Sequence, residues 1–433
     1  MSAGICVMNR NAVALAADSA ATIGQHIAIR NSANKLFSLS RYAPVGVIIY
    51  ANADLMRIPV EIIIKEYKNQ LGQKPYLLLE EYVADFLAYI EKNATLFHFA
   101  ENEENYVQSL CINLLNGTQT DCQHFLTSEQ QRLARELTDE ERTTVIQKAI
   151  EQTIQFIDNL PVLTGTAFEA YVKSTYQGLI ENCISSTFPW IPESSRPALI
   201  DKLYSIFDKD FFRNGYVGIA IAGYGCSDIF PKVKHLHVGG VVAGKIRYKI
   251  VDEASISENN VSSILPLAQT DVMQTFLFGI NDSFIQDMGN MIPQEINDCF
   301  SRMDDQLFAE SKKDMVKQNV AQMTSKVIQK LADKARQEYM NPILQSVATL
   351  PIEELAMLAE SMINITSLRR RVAIDNNIGT VGGPIDVAII SKSDGFIWLK
   401  RKHYFDAKYN PQYLMTHYGC SRISCNEGDG ENV

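Results

Sequence analysis

Between residues 3 and 51 the chain is cut into short apolar segments by clusters of turn-forming residues, and that spacing restricts its opening to successive antiparallel hairpins. The segments 3–8, 12–18, 26–30, 35–40 and 45–51 are separated by Asn9-Arg10-Asn11, by Asn31 to Asn34 and by Arg41 to Pro44, all rich in residues that tolerate turn geometry. Segment 12–18 is unusually small-chained, with Ala12, Ala14, Ala16 and Ala17, so another layer can approach it closely. From about Asp54 the period lengthens. Ile58, Ile62 and Tyr67, with Val60, Ile63 and Ile64, predict a buried helix in which Pro59 fits only the first turn or a kink; a second helix is expected over about 79–92.

Residues 100–213 read as a mainly helical insertion. Thr138 followed by Glu141 is a capping box, and Ile146, Ile150, Ile154 and Ile157 recur as one apolar helical face. Strands are expected again at 216–223, 229–238, 244–252 and 263–268. A second helical block runs over 271–371, where Val316, Val320, Met323, Val327 and Leu331 keep helical spacing and predict a core or helix-packing face. Two last strands, 384–391 and 396–401, flank the turn Lys392 to Gly395. The tail, 404–433, ends in Asn426-Glu427-Gly428-Asp429-Gly430-Glu431, has little to bury and is expected to be loose. Strands and helices in this order predict an α+β chain, with residues 1–433 forming a single domain of two stacked antiparallel sheets with helices outside.

Composition excludes several functions. Hydrophobic residues are 46% and charged residues 21%, as in ordinary globular proteins, and no apolar run approaches the ~20 residues of a membrane helix. A formal charge of -10 gives no footprint for nucleic acid. The eight cysteines lack paired zinc spacing and read as reduced thiols in a cytoplasm. His235 and His237 share one face of a strand without a third ligand in the segment, and Cys226 reads as a loop thiol, so no metal or cofactor is expected. Asn9, Arg10 and Asn11 interrupt any secretory signal, which makes residue 2 the expected mature start.

The first hairpin also carries candidate chemistry. A turn centred near Arg10 pairs residues whose numbers sum to about 20, which sets Ser2 opposite Asp18; a one-residue error moves the partner only to Ala17 or Ser19. If Met1 is removed, the Ser2 α-amine, with a pKa of roughly 7.7–8.0, can accept the proton of its own hydroxyl. Such a centre needs a cation beside it and a carboxylate to hold the cation, roles open to Lys35 and Asp18. The plainer reading is an ordinary Ser after Met and a surface ion pair.

Three stretches, SAGICVMNRNAVALAADSAATIG, NSANKLFSL and VGVIIYANADLMRIPVEIIIKEYKNQL, resemble in order the opening of proteasome β-subunits and of the bacterial proteasome-like protease that works with a ring unfoldase. The matching residues are Ser2, Asp18, Ala21-Thr22-Ile23-Gly24, Lys35 and Tyr50-Ala51-Asn52-Ala53-Asp54; AIAGYG at 220–225 and the segment from Val381 look like the family's central strand and final hairpin. The resemblance implies a four-layer αββα sandwich and an N-terminal-nucleophile hydrolase. Ser2, Asp18 and Lys35 would be catalytic, with Thr270 in a supporting position. The Thr22 backbone would align an extended substrate, and Tyr50 and Asn52 would border it with the Tyr50 N–H as oxyanion donor. It further implies a peptide or amide substrate, a homo-oligomer and an unfoldase or regulatory partner. This chain departs from the pattern in having Ser for Thr, Tyr50-Ala51 for Gly-Gly, and no acid near Ile378. A catalytically silent subunit and a non-peptide amidase of the acylase type therefore stay open.

Overall fold

The computed structural model describes residues 2–23, 28–30, 32–163, 165, 167–213, 215–301, 310–372, 381–403, 405 and 409–410. Its strands are β1 (Ala3–Asn9), β2 (Ala12–Ala17), β3 (Ala21–Ile23), β4 (Ala28–Arg30), β5 (Leu36–Ser38), β6 (Val45–Ala51), β7 (Asp54–Leu55), β8 (Ile58–Pro59), β9 (Val217–Gly223), β10 (Lys232–Val242), β11 (Lys245–Ser255), β12 (Ser262–Ala268), β13 (Asp386–Ser391) and β14 (Gly395–Lys400). Two five-stranded antiparallel sheets dominate, ordered β12-β1-β2-β13-β14 and β11-β10-β9-β6-β5.

The first hairpin is closed by a side chain. Asn9 Oδ1 accepts from the backbone N–H of Asn11 and Ala12, leaving Arg10 and Asn11 as the turn, while Asn9 Nδ2 donates to the Val347 and Leu350 carbonyls across the molecule. Alternation then sorts β1 and β2 by face, since successive side chains of a strand point opposite ways. Ile5, Val7, Ala12, Ala14 and Ala16 face helices, whereas Cys6, Met8, Val13, Leu15 and Ala17 face the second sheet. Both faces are therefore buried, and these strands read as continuous apolar runs.

The helices complete four layers. On the second sheet lie α1 (Val60–Leu71), α2 (Leu79–Lys92), α3 (Phe99–Leu133), α4 (Asp139–Asn159), α5 (Phe168–Thr187) and α6 (Arg196–Ser205), sharing one core with Val45, Val47 and Ile49. Thr138 caps α4 reciprocally with Glu141, and its isoleucine face is turned inward. Buried Arg247 on β11 holds this block to the sheet by donating to the carbonyls of Phe207 (2.8 Å), Ile206 (3.1 Å), Lys209 (2.6 Å) and Phe211 (2.9 Å). Later in the chain come α7 (Asp271–Phe278), α8 (Asp282–Ser301), α9 (Glu310–Ala335), α10 (Asn341–Thr349) and α11 (Ile352–Val372). The outer face of the first sheet is covered by α10 and α11, with Ala356 and Ala359 meeting the alanine face of β2.

Three expectations change. The helix anticipated from Asp54 begins only at Val60, because residues 54–59 form the small hairpin β7-β8 and Pro59 occupies the N-cap; Ile62 points outward, 48% exposed. The register of β1 and β2 pairs Gly4 with Ala17, a sum of 21, since a two-residue turn has its centre between residues 10 and 11. Asp18 thus lies opposite Ala3 rather than Ser2. The stripe on α9 is not core: Val320 is buried, but Met323, Val327 and Leu331 are 67%, 46% and 39% exposed, and the Val316 side chain lies outside the described residues. So does the tail beyond residue 410, with Cys420 and Cys425.

Leu15 is fully buried where the two sheets meet. Leu15→Ala is expected to destabilise the fold by about 2–5 kcal/mol, read as a lower urea midpoint at unchanged slope.

Candidate active site

The strand β2 delivers Asp18 to the end of the first sheet, where its backbone N–H still bonds to the Ala3 carbonyl at 3.1 Å and its side chain turns inward, fully buried. A carboxylate in that position is costly unless every oxygen is met. Oδ1 accepts from the Ala3 N–H at 2.9 Å and from Lys35 Nζ at 2.6 Å; Oδ2 accepts from the N–H groups of Ala20 at 3.2 Å and Gly382 at 3.1 Å. Lys35 enters from the start of β5, where its carbonyl accepts from the Ile49 N–H at 2.8 Å, and its Nζ also donates to the Ala20 carbonyl. Burial presses the Lys35 pKa below its ordinary value; Asp18 opposes that shift and the charge of Lys402 adds to it.

Ser2 sits one residue from this pair and is 7% exposed. Its carbonyl accepts from the Gln269 N–H at 3.1 Å, which continues the β1-β12 ladder, and its hydroxyl makes no hydrogen bond among the described residues. Asp18 and Lys35 are thus brought together by two sheets, and Ser2 precedes the residue whose N–H Asp18 holds. Thr270 follows Gln269 and stands at the N-cap of α7 without a side-chain capping bond, and its side chain makes no hydrogen bond to the other three. Thr22 is paired with Ile29 in the β3-β4 ribbon; its side chain, Gly24 and Ile378 lie outside the described residues.

Tyr50 and Asn52 take different directions. Tyr50 pairs with Gly218 on β9, and its ring crosses over that glycine, where a Cβ would collide with it, towards β10. There the hydroxyl meets His235 Nε2 at 2.5 Å and His237 Nε2 at 2.9 Å, while Tyr216 stacks on His237. The ring therefore leans away from β5 and Lys35. Asn52 is exposed, and its N–H bonds to the Tyr216 carbonyl at 3.3 Å. With one hydroxyl proton between two imidazoles, one ring accepts from Tyr50 and the other donates to it, which suits a neutral pair. Burial depresses His235 to about 4 and His237 to about 3.

Gly382, Asp386 and Lys402 were not singled out in the sequence. Gly382 donates to Asp18 through its N–H and accepts from the Ser19 N–H, and Ser19 Oγ donates to the Pro384 carbonyl at 2.5 Å. Asp386, which is buried, and Lys402, which is half-buried, form a second ion pair nearby. Backbone donors carry no sequence signature, whereas Asp386 was visible as an acid beginning the last apolar strand, a place where a partner is required. Among the described residues there is no group of three or more His, Cys, Asp or Glu that could hold a metal.

No protein-family model matches the chain, and no curated protein matches it. Among solved structures, a Gly-1 mutant of Anbu from Hyphomicrobium sp. strain MC1 aligns over 96% of this chain and 94% of its own at a TM-score of 0.31 and 8% identity. Anbu (ancestral beta-subunit) from Yersinia bercovieri aligns over 96% and 97% at a TM-score of 0.27 and 9% identity. Both are distant likenesses, and the chemistry of this centre has to be judged from its own geometry.

Two outcomes follow for stability. Lys35→Met leaves Asp18 buried without its cation and is expected to cost about 3–5 kcal/mol, against less than about 1 kcal/mol for Ser2→Ala, both by chemical denaturation. The histidines are neutral in the fold but take up protons near pH 6.5 when unfolded. Their contribution is therefore complete above about pH 6.5 and is lost as pH falls towards about 4, by up to about 3 kcal/mol at His235. Replacing both by Gln should flatten stability over that window.

Proposed function

We propose that this protein is an N-terminal serine amide hydrolase, a proteasome-like peptidase whose nucleophile is Ser2 after removal of Met1. The observation that carries the proposal is the shared oxygen of Asp18, which takes the N–H of the residue after Ser2 and the Lys35 ammonium together. A surface ion pair would need no such arrangement.

In this reading the Ser2 α-amine takes the proton from Oγ as Oγ attacks the substrate carbonyl. The Tyr50 N–H does not serve as the oxyanion donor, because the Ile49 N–H beside it bonds to the Lys35 carbonyl and alternation turns that of Tyr50 towards Gly218 on β9. Collapse of the tetrahedral intermediate passes that proton to the leaving amine and leaves an ester on Ser2. Water, deprotonated by the same α-amine, then releases the acid. Lys35, fixed by Asp18, supplies positive charge beside the nucleophile and lowers the cost of alkoxide character; its depressed pKa also brings it closer to passing a proton. Thr22 would align the substrate backbone, Asn52 would border it and Thr270 would support the nucleophile. Assembly into a homo-oligomer, a cytoplasmic setting and an unfoldase or regulatory partner belong to the same proposal. No described helix is long and apolar enough to cross a membrane.

The silent-subunit reading has one observation in its favour: the Asp18–Lys35 pair is so fully hydrogen-bonded that it would also serve as a structural clamp. Labelling separates the two. Native protein should lack Met1 by intact mass and should be acylated at Ser2 by an electrophile directed at N-terminal nucleophiles. Ser2→Ala should abolish labelling and turnover with the fold intact, and Lys35→Met should lower labelling at least about 100-fold. Met1 retained in full, or a folded wild type that never labels and hydrolyses no peptide or amide, rules out the hydrolase.

A further inference from the structure

A cavity of about 860 Å³ opens where the two sheets end on the same side of the sandwich. Edge strand β5 and edge strand β14 both line it, and helix α1 and the chain after β14 close its far wall. Its inner wall borders the buried centre: Asn34 and Leu36 flank Lys35, and the lining residue Pro384 accepts the Ser19 hydroxyl.

The charge of this cavity opposes that of the chain. Of its five Arg and Lys residues, Lys65 is paired with Glu61 and Lys402 with Asp386. Arg41, Lys68 and Arg401 remain, and none of them has a carboxylate partner among the described residues. Arg41 reaches only Asn69, Lys68 donates to Ser38 Oγ at 3.1 Å, and Arg401 lies over the Trp398 ring. Lys68 is pushed down to about 8 by burial and by the charges of Arg41 and Arg401, which line the same cavity and act on it from either side of the chain. In a chain of formal charge -10 such a cluster is locally unfavourable and calls for an anion. The outer edges of β5 and β14, which pair with no further strand among the described residues, add a second requirement, because edge N–H and C=O groups are met by an extended backbone.

We propose that this cavity binds an acidic, extended peptide segment, whose backbone adds to a sheet edge and whose carboxylates meet Arg41, Lys68 and Arg401. The site deepens the proposed function, on which it rests for its meaning, by naming acidic polypeptides as the substrate class. Held there, the segment runs past the wall that carries Lys35 and Asp18, and the selection is made by charge before any bond is cleaved.

Binding is tested on the full-length Ser2→Ala protein by fluorescence anisotropy with a labelled Val-Glu-Val-Glu-Val-Glu peptide. The neutral Val-Gln-Val-Gln-Val-Gln peptide and inorganic phosphate serve as comparison ligands. The acidic peptide should bind at least about tenfold tighter than the neutral one, and its affinity should fall with added salt. Arg41→Gln, at an exposed position with no structural bond of consequence, should weaken it several-fold, and the triple Arg41→Gln, Lys68→Gln, Arg401→Gln protein at least about tenfold with its melting temperature unchanged. Equal binding of both peptides, an unaffected Arg41→Gln protein, or phosphate binding without peptide binding overturns the proposal. So does failure of the full chain to bind the peptide, as when its own acidic segment fills the cavity. Because Ser2→Ala does no chemistry, a protein that binds the peptide but never labels in its wild-type form loses the hydrolase and keeps the acidic-peptide site; one that labels but does not bind does the reverse.

Discussion

Two sheets can share one thin core only where neither presents bulk to the other, and much of this molecule follows from that limit. The contact layer is made of Ala17, Ala220, Ala222 and Ala388 among larger partners such as Leu15, Ile48 and Leu267. At Gly46 even one carbon would stand 2.8 Å from Ile390 Cδ1 and from Phe396 Cε2. Close packing of this kind draws β2 and β5 near enough for a carboxylate on one sheet to meet an ammonium from the other. The ion pair is thus a product of the core's thinness. It is dry for the same reason, which is why every oxygen of Asp18 needs a donor.

The sequence was most readable where local rules act alone. Turn residues, alternation and the alanine face of residues 12–17 anticipated the β1-β2 and β5-β6 hairpins and the order of strands and helices, whereas the turn read at residues 31–34 closes no hairpin, because β4 pairs with β3 and β5 with β6 in another sheet. The Thr138 capping box and the isoleucine face of α4 were equally local. Errors of a single residue arose where a side chain decided a turn: Asn9 closes the loop over two residues, and Asp18 falls opposite Ala3. Residues 54–59 misled for a similar reason, since a tight hairpin ending at Pro59 places Ile58 where a first helical turn would.

What could not be read depends on distance along the chain. Gly382 reaches Asp18 across 364 residues and does so through its backbone, which every residue type possesses. Tyr50 was expected to border the substrate, yet nothing near it in sequence reveals that Gly218 opens a path to two histidines 185 and 187 residues away. The exposed apolar stripe on α9 shows the converse. Periodicity identifies a face and says nothing of whether the rest of the chain covers it.

The bond from Gly382 to Asp18 also sets an order of events during synthesis. Ser2, Asp18 and Lys35 leave the ribosome well before the donor that completes the carboxylate's shell: Gly382 follows Asp18 by 364 residues, and strand β13 beside β2 comes later still. Until then the early hairpins lack a neighbour on one side and the acid lacks a ligand. A chain that stops short of Gly382 consequently carries the parts of the centre without its geometry, so that assembly of the centre waits for that segment.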